Sequence, residues 1–193
     1  MRLNLLARKK KIAVIFGTRP DTIKLAPIIL ELQKERAYFD VVTIATAQHR
    51  HMLDQVLEVF GIAPDYDLDI MQDRQSLAML TSTTLSALDA VLERESPDMV
   101  LVQGDTTTTF VGSLAAFYRT IPVGHVEAGL RTNDKVNPFP EEINRRLTSA
   151  IADLHFAPTE TAKRALLKEH HNPRNIVVTG NSVIDALKIA VQK

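Results

Sequence analysis

A doubly wound, Rossmann-like α/β domain with a parallel sheet is the fold class this sequence predicts, on three observations. Short β-branched apolar runs alternate with longer segments of helical period along the 193 residues, the pattern of parallel strands joined by crossover helices. The runs are apolar on both faces, as strands covered by helices on each side must be. The unusual polar residues follow those runs directly, at the carboxyl ends of the strands, where open α/β sheets bind ligands near the reversal of strand order.

Taken in chain order, "KIAVIF" (11–16) reads as a buried strand and "PDTIKLAPIILELQKER" (20–36) as the helix behind it, with Pro20 suited to the first turn. "DVVTIATA" (40–47) is a second strand, followed by a helix over 51–61 that Gly61 is placed to cap. A long helix over 75–95 ends before Pro97, because the residue preceding a proline disfavours helical backbone. "DMVLVQG" (98–104) is a strand, 106–119 a helix, and "IPVGHVEAG" (121–129) holds the next strand. A helix over 140–152, the short strand "DLHFAP" (153–158), a helix over 159–169, the strand "NIVVTG" (175–180) and a helix over 182–192 complete the alternation. Residues 1–10 read as a flexible basic leader and 11–193 as a single domain. The cluster Arg8 to Lys11 is followed by no long apolar run or small-residue cleavage site, so a secretory signal is not expected.

Charge and composition narrow the function. The 23 basic and 23 acidic residues balance, whereas generic binding to nucleic acid or to a membrane surface rests on a basic excess. An anion must therefore be held by a few placed cations. No apolar stretch approaches the roughly 20 residues a membrane-spanning helix needs. The absence of cysteine excludes disulfides and thiolate metal ligation and fits a reducing compartment, so a soluble, cytoplasmic protein is expected. The histidines at 49, 51, 125, 155, 170 and 171 show no metal-ligand spacing, so no metal is expected. His155 reads as a core or strand-end residue, and His170 and His171 as solvated residues before a turn.

Unusual residues follow four strands, Gly17-Thr18-Arg19-Pro20, Gln48-His49-Arg50, Gly104-Asp105-Thr106 and Glu127-Ala128-Gly129, and a glutamate pair opens a later helix. "FGTRPDTIK" has neither a Walker pattern nor GxGxxG, yet Gly17, Arg19 and a helix N-terminus together suit an anion. The competing reading is a strand–helix turn whose arginine pairs with a carboxylate. "QGDTTTTF" sets Asp105 before four threonines, which are poor helix formers; Asp105 is either a helix N-cap or part of a functional turn. Glu127 closes the run "VGHV". Burial there favours a general acid or base, and pairing with Arg131 is the alternative. Glu141 and Glu142 open a helix, where negative charge is favourable in any case.

The stretches "GTRPDTIKLAP", "TAQHRHMLDQVLEVFGIAPDYDLDIM", "VLVQGDTTTTF", "IPVGHVEAGLRT", "PFPEEINRRL" and "FAPTETAK…VVTGNSVIDAL" resemble, in that order, the non-hydrolysing UDP-N-acetylglucosamine 2-epimerases, almost continuously from about residue 11 to 190. The sequence departs from the family's usual glutamate at Asp21 and from its usual glutamine or glutamate at His51. The resemblance implies a GT-B-type enzyme of two Rossmann-like domains with the active site between them, working without a cofactor. It implies interconversion of UDP-GlcNAc and UDP-ManNAc for bacterial surface polysaccharides, by elimination of UDP to 2-acetamidoglucal and re-addition with inversion at carbon 2. The catalytic carboxylates it implies are Asp105, Glu127 and Glu141, with no assignment of the proton-abstracting base. The implied substrate-binding cations are Arg19 and Lys24. An activating second UDP-GlcNAc implies Gln48, His51, Arg74 and Glu141.

The resemblance covers only about the N-terminal half of such an enzyme. A C-terminal nucleotide-binding domain, or self-association, is therefore the expected partner, and the isolated chain is expected to bind UDP-sugar weakly and to turn over little or none. Three other readings stay open: a hydrolysing 2-epimerase, a GT-B glycosyltransferase and a non-catalytic nucleotide-sugar-binding module.

Overall fold

The computed structural model describes residues 8–46, 50–70 and 75–192. Gln48 and Arg74 lie outside the described residues, and for His51 only the helical backbone is described. The elements are β1 Lys10–Phe16, α1 Arg19–Lys34, β2 Phe39–Ala45, α2 Arg50–Phe60, β3 Tyr66–Asp67, α3 Leu77–Glu95, β4 Met99–Gln103 and α4 Thr107–Tyr118. They continue as β5 Val123–Val126, α5 Glu141–Ile151, β6 Leu154–Ala157, α6 Glu160–Lys168, β7 Ile176–Val178 and α7 Val183–Val191, with a 3-10 turn at Pro173–Asn175. Every strand and helix expected from the sequence is present. β3 was not anticipated; its two residues are too few to make an apolar run.

The strands form one wholly parallel sheet in the order β3-β2-β1-β4-β5-β6-β7. From β1 the chain moves outward through β2 to β3, and α3 carries it back to β4 on the other side of β1. The strand order therefore reverses between β1 and β4, which opens a crevice at their carboxyl ends.

The period of two along β1 divides the core. Ile12, Val14 and Phe16 pack with Leu25, Ala26 and Ile29 of α1, Leu53, Val56, Leu57 and Phe60 of α2, and Ala186 of α7. Ala13 and Ile15 face the opposite cluster, with Leu88, Val91 and Leu92 of α3 and Ala115 and Ala116 of α4. Each fully buried Leu, Ile or Phe contributes roughly 1.5–3 kcal/mol relative to exposure, so β1 is clamped from both faces and its C-terminal turn rests on the most buried part of the molecule. Within the stretch expected as a leader, Arg8 and Lys10 pair with Asp98 and the strand has already begun at Lys10. No helix among the described residues is long and apolar enough to cross a membrane.

Candidate active site

The turn after β1 is held by one buried carboxylate. Asp21, 2% exposed, accepts from the backbone N–H groups of Gly17 (3.1 Å), Thr18 (2.8 Å) and Thr22 (2.8 Å) and from the Thr18 hydroxyl (3.0 Å). Thr18 and Asp21 thus form a reciprocal capping pair for α1. Burial pushes the Asp21 carboxyl up to about 6, against the pull of those hydrogen bonds. Gly17 is required by close approach: a Cβ there would lie 2.2 Å from Thr46 Oγ1 and 2.5 Å from Thr108 Oγ1. The turn leaves Arg19 exposed at the start of α1, with no ion-pair partner among the described residues, so the expected alternative of a paired arginine does not hold.

After β4, Gly104 adopts φ +74° and Asp105 follows it. The cap of α4 is Thr106, whose hydroxyl accepts from the Thr109 N–H. Asp105 is therefore one residue outside the helix, and capping does not explain it. Its carboxylate pairs with Arg145, and Asn144 donates to its backbone carbonyl at 3.0 Å. Burial raises the Asp105 carboxyl above its ordinary range; Arg145 opposes this, and the charges of Glu141 and Glu127 reinforce it.

Glu127 ends β5 in the left-handed region, at φ +63°, a conformation that costs a non-glycine residue free energy and is enriched at functional sites. Oε2 accepts from Lys24 Nζ and from Gln103 Nε2, both at 2.5 Å, and Oε1 accepts from Asn181 Nδ2 at 2.8 Å. The alternative pairing with Arg131 does not form, because Arg131 lies beyond Gly129 (φ +91°) and donates to Glu169 and Ser149. Gly104 sits against this carboxylate; a Cβ there would lie 3.7 Å from Glu127 Oε2.

The adjacent glutamates of α5 separate sharply. Glu142 is wholly buried and accepts from the Thr132 and Asn133 N–H groups and from Arg146 Nε. Burial opposes its ionisation, but those donors outweigh it and hold the carboxyl below its usual range. Glu141 is half-buried, has no hydrogen-bond or ion-pair partner among the described residues, and acts on Asp105 through its charge. Behind these groups His125 is fully buried in β5, its Nε2 2.7 Å from the Gly104 carbonyl oxygen. Of the other histidines, His155 is buried in β6 as expected, and His170 is exposed. His171 is a correction: its ring lies 4.6 Å from that of His155 and is half-buried.

One end of the sheet thus brings together Arg19 and Lys24 on α1, Asp105, Glu127 and Glu141. Gln103, Arg145 and Asn181, which the sequence reading did not single out, supply donors that hold the carboxylates, and Asn144, also not singled out, holds the Asp105 backbone. The available signal was positional. Gln103 is the last residue of the buried strand β4, where an uncharged amide is the neutral partner for a buried carboxylate, whereas Asn181 lies three residues beyond β7 and carried no such signal.

Comparisons with known proteins give the family. The family described as UDP-N-acetylglucosamine 2-epimerase matches residues 31–193. The chain is 60% identical over 185 residues to the UDP-N-acetylglucosamine 2-epimerase of Bacillus subtilis, covering 96% of this chain and 48% of that protein. The crystal structure of UDP-GlcNAc 2-epimerase from Neisseria meningitidis bound to UDP-GlcNAc superposes with a TM-score of 0.92 at 56% identity, over 94% of this chain and 49% of that one. The Methanocaldococcus jannaschii UDP-GlcNAc 2-epimerase, solved in complex with UDP-GlcNAc and UDP, gives 0.87 at 43% identity, over 95% and 51%. The chain spans about half the length of the curated relatives it matches. With the match running through every element that carries the carboxylate cluster, this chain belongs to the UDP-N-acetylglucosamine 2-epimerase family.

Proposed function

We propose that this chain carries the N-terminal half of a UDP-GlcNAc 2-epimerase site, with Asp105, Glu127 and Glu141 as its acid–base groups and Arg19 and Lys24 as its substrate cations. The observation that carries the reading is the convergence of three carboxylates, of unlike environments, on the crevice at the strand-order reversal. Glu127 is gripped by three donors, Asp105 by Arg145, and Glu141 is unengaged among the described residues.

In the reaction one carboxylate takes the proton from carbon 2 of the sugar. The electron pair forms the C1–C2 double bond, and the bond from C1 to the diphosphate oxygen breaks, releasing UDP and 2-acetamidoglucal. Return of UDP to C1 with protonation of C2 from the opposite face gives UDP-ManNAc. Two faces require two differently placed acid–base groups, and the free diphosphate needs fixed cations while the glucal waits. Arg19 at the N-terminus of α1 supplies one such cation and adds to the partial positive charge of the helix. The second half carried by the relatives completes the site, and a cytoplasmic setting suits a cysteine-free chain.

The test is proton NMR of UDP-GlcNAc in D2O, with the 193-residue chain and a full-length protein carrying it run in parallel. The full-length protein is expected to form UDP-ManNAc deuterated at carbon 2, and the shorter chain alone to give little or none. Release of free ManNAc would assign a hydrolysing enzyme instead. Full turnover by the 193 residues alone would overturn the half-site reading.

A further inference from the structure

Glu127 receives its third hydrogen bond from a residue 54 positions away in sequence. Asn181 lies between β7 and α7, and its side chain is used at both ends. Oδ1 accepts from the Val183 N–H at 3.0 Å, at the start of α7. That bond fixes the amide orientation, so Nδ2 is the group that meets Glu127 Oε1 at 2.8 Å. The next residue repeats the contact on the other member of the ion pair: the Ser182 hydroxyl donates to the backbone carbonyl of Lys24 at 2.6 Å. Consecutive residues at the head of α7 therefore hold Glu127 and the backbone of Lys24, whose Nζ is 2.5 Å from Glu127 Oε2.

The geometry is that of a support. With Oε2 engaged by Lys24 and Gln103, the carboxylate keeps one freedom, to pivot about Oε2 through small changes in its soft side-chain torsions. The bond to Asn181 removes it. We infer that Asn181 is a positioning residue for the reaction: it fixes the orientation of the Glu127 carboxylate and ties that orientation to the seating of α7. The inference rests on the reading of Glu127 as an acid–base group. It predicts that losing the Asn181 amide slows the chemical step and leaves substrate binding in place, since Asn181 reaches the substrate only through Glu127.

Two substitutions separate the support from the helix cap. Asn181→Ser keeps a side-chain oxygen able to accept from the Val183 N–H, as serine does in such turns, but removes the donor to Glu127. Asn181→Asp also keeps the cap and places a second carboxylate against Oε1. Kinetics of UDP-GlcNAc epimerisation by the full-length protein, together with melting temperature, decide the matter. The expected result is a fall in kcat of roughly tenfold to a hundredfold for Asn181→Ser, the scale of a hydrogen bond to a charged group, with KM within about twofold. Asn181→Asp should fall further, and the melting temperature of Asn181→Ser should stay close to that of the wild type. Unchanged kcat in Asn181→Ser, with the wild type active, would overturn the positioning role and leave the proposed function standing. Equal loss in kcat and melting temperature, or a rise in KM alone, would also overturn it. A wild type that turns over no UDP-GlcNAc while the Bacillus subtilis relative does would remove the functional reading itself, and the role of Asn181 with it.

Discussion

Asp21 and Glu142 show how two buried carboxylates of similar donor number come to differ. Glu142 has guanidinium groups beside it, with Arg146 Nε at 2.9 Å and Arg145 at 3.7 Å, whereas the donors to Asp21 are neutral backbone N–H and hydroxyl groups. Neutral donors offset part of the cost of burying a charge, and a cation offsets more. The Asp21 carboxyl rises to about 6 because burial outweighs its donors, while that of Glu142 falls because the Thr132 N–H, Arg146 and the Asn133 N–H together outweigh burial. Because the folded value for Asp21 lies above the unfolded 3.8, its contribution to stability is fully present below about pH 4 and is lost as pH rises through about 6. Relative to Asp21→Asn, the wild type should therefore gain about 2.5 kcal/mol between pH 7 and pH 4, measured by urea melts; a difference that is flat with pH would contradict the assignment. Glu142→Gln should destabilise at neutral pH by about 3 kcal/mol, the scale of breaking a buried pair from one side, with loss of midpoint in the same melts.

At the scale of elements, two turns depend on the absence of a side chain for different reasons. Gly129 combines φ +91° with an approach that would put a Cβ 2.3 Å from the Ala162 carbonyl oxygen. Gly17 has only the approach, and its neighbours there are threonine hydroxyls. Gly129→Ala is therefore expected to cost more than Gly17→Ala, since backbone of α6 must move in the first case and side chains in the second; about 2–4 kcal/mol against 1–3 is the scale of overpacking with and without backbone strain. Equal losses in thermal melts would show that the φ requirement at Gly129 is relieved by the turn. The same contrast explains what was legible beforehand. Strands and helices follow from periodicity within a window, so the alternation, the parallel sheet and the strand-end location of Arg19, Asp105 and Glu127 could be read. Partner choice follows from directions in space. Arg131 is four residues from Glu127 and points to Glu169, while Asn181, 54 residues away, supplies the bond. Asp105 looked like a cap because aspartate often is one, but the run of threonines gives the helix its cap one residue later, at Thr106. The separate fates of Glu141 and Glu142 rest on the loop at 132–133 folding back onto α5, which adjacent identical residues cannot reveal.

For the whole molecule, neighbouring histidines set the response to acid. His125 and His155 face each other across β5 and β6, both buried. Burial pushes the first down to about 3 and the second to about 4, with further lowering by nearby positive charge. Both folded values lie below the unfolded 6.5, so as pH falls through 6.5 the unfolded chain takes up two protons that the folded chain refuses. The stability these residues contribute is present above about 6.5 and is lost on acidification, at about 1.4 kcal/mol per pH unit for each. Asp21 works in the opposite sense between about 6 and 4, as does Asp105, whose carboxyl burial also raises, while His171, lowered by burial, joins the other two histidines. Net destabilisation should therefore begin near pH 6.5, where the histidines titrate before the raised carboxyls oppose them, in a fold whose total stability is of the order of 5–15 kcal/mol. The paired carboxylates, whose values are depressed, add to it only at lower pH. Urea melts of wild type and His155→Gln at half-unit steps from pH 7 to 5 isolate the histidine contribution: the variant should lose stability more gently by one proton's slope below pH 6.5. If the two slopes coincide, the proton refused by the folded chain is not at His155, and the acid response must arise from the carboxylate network instead.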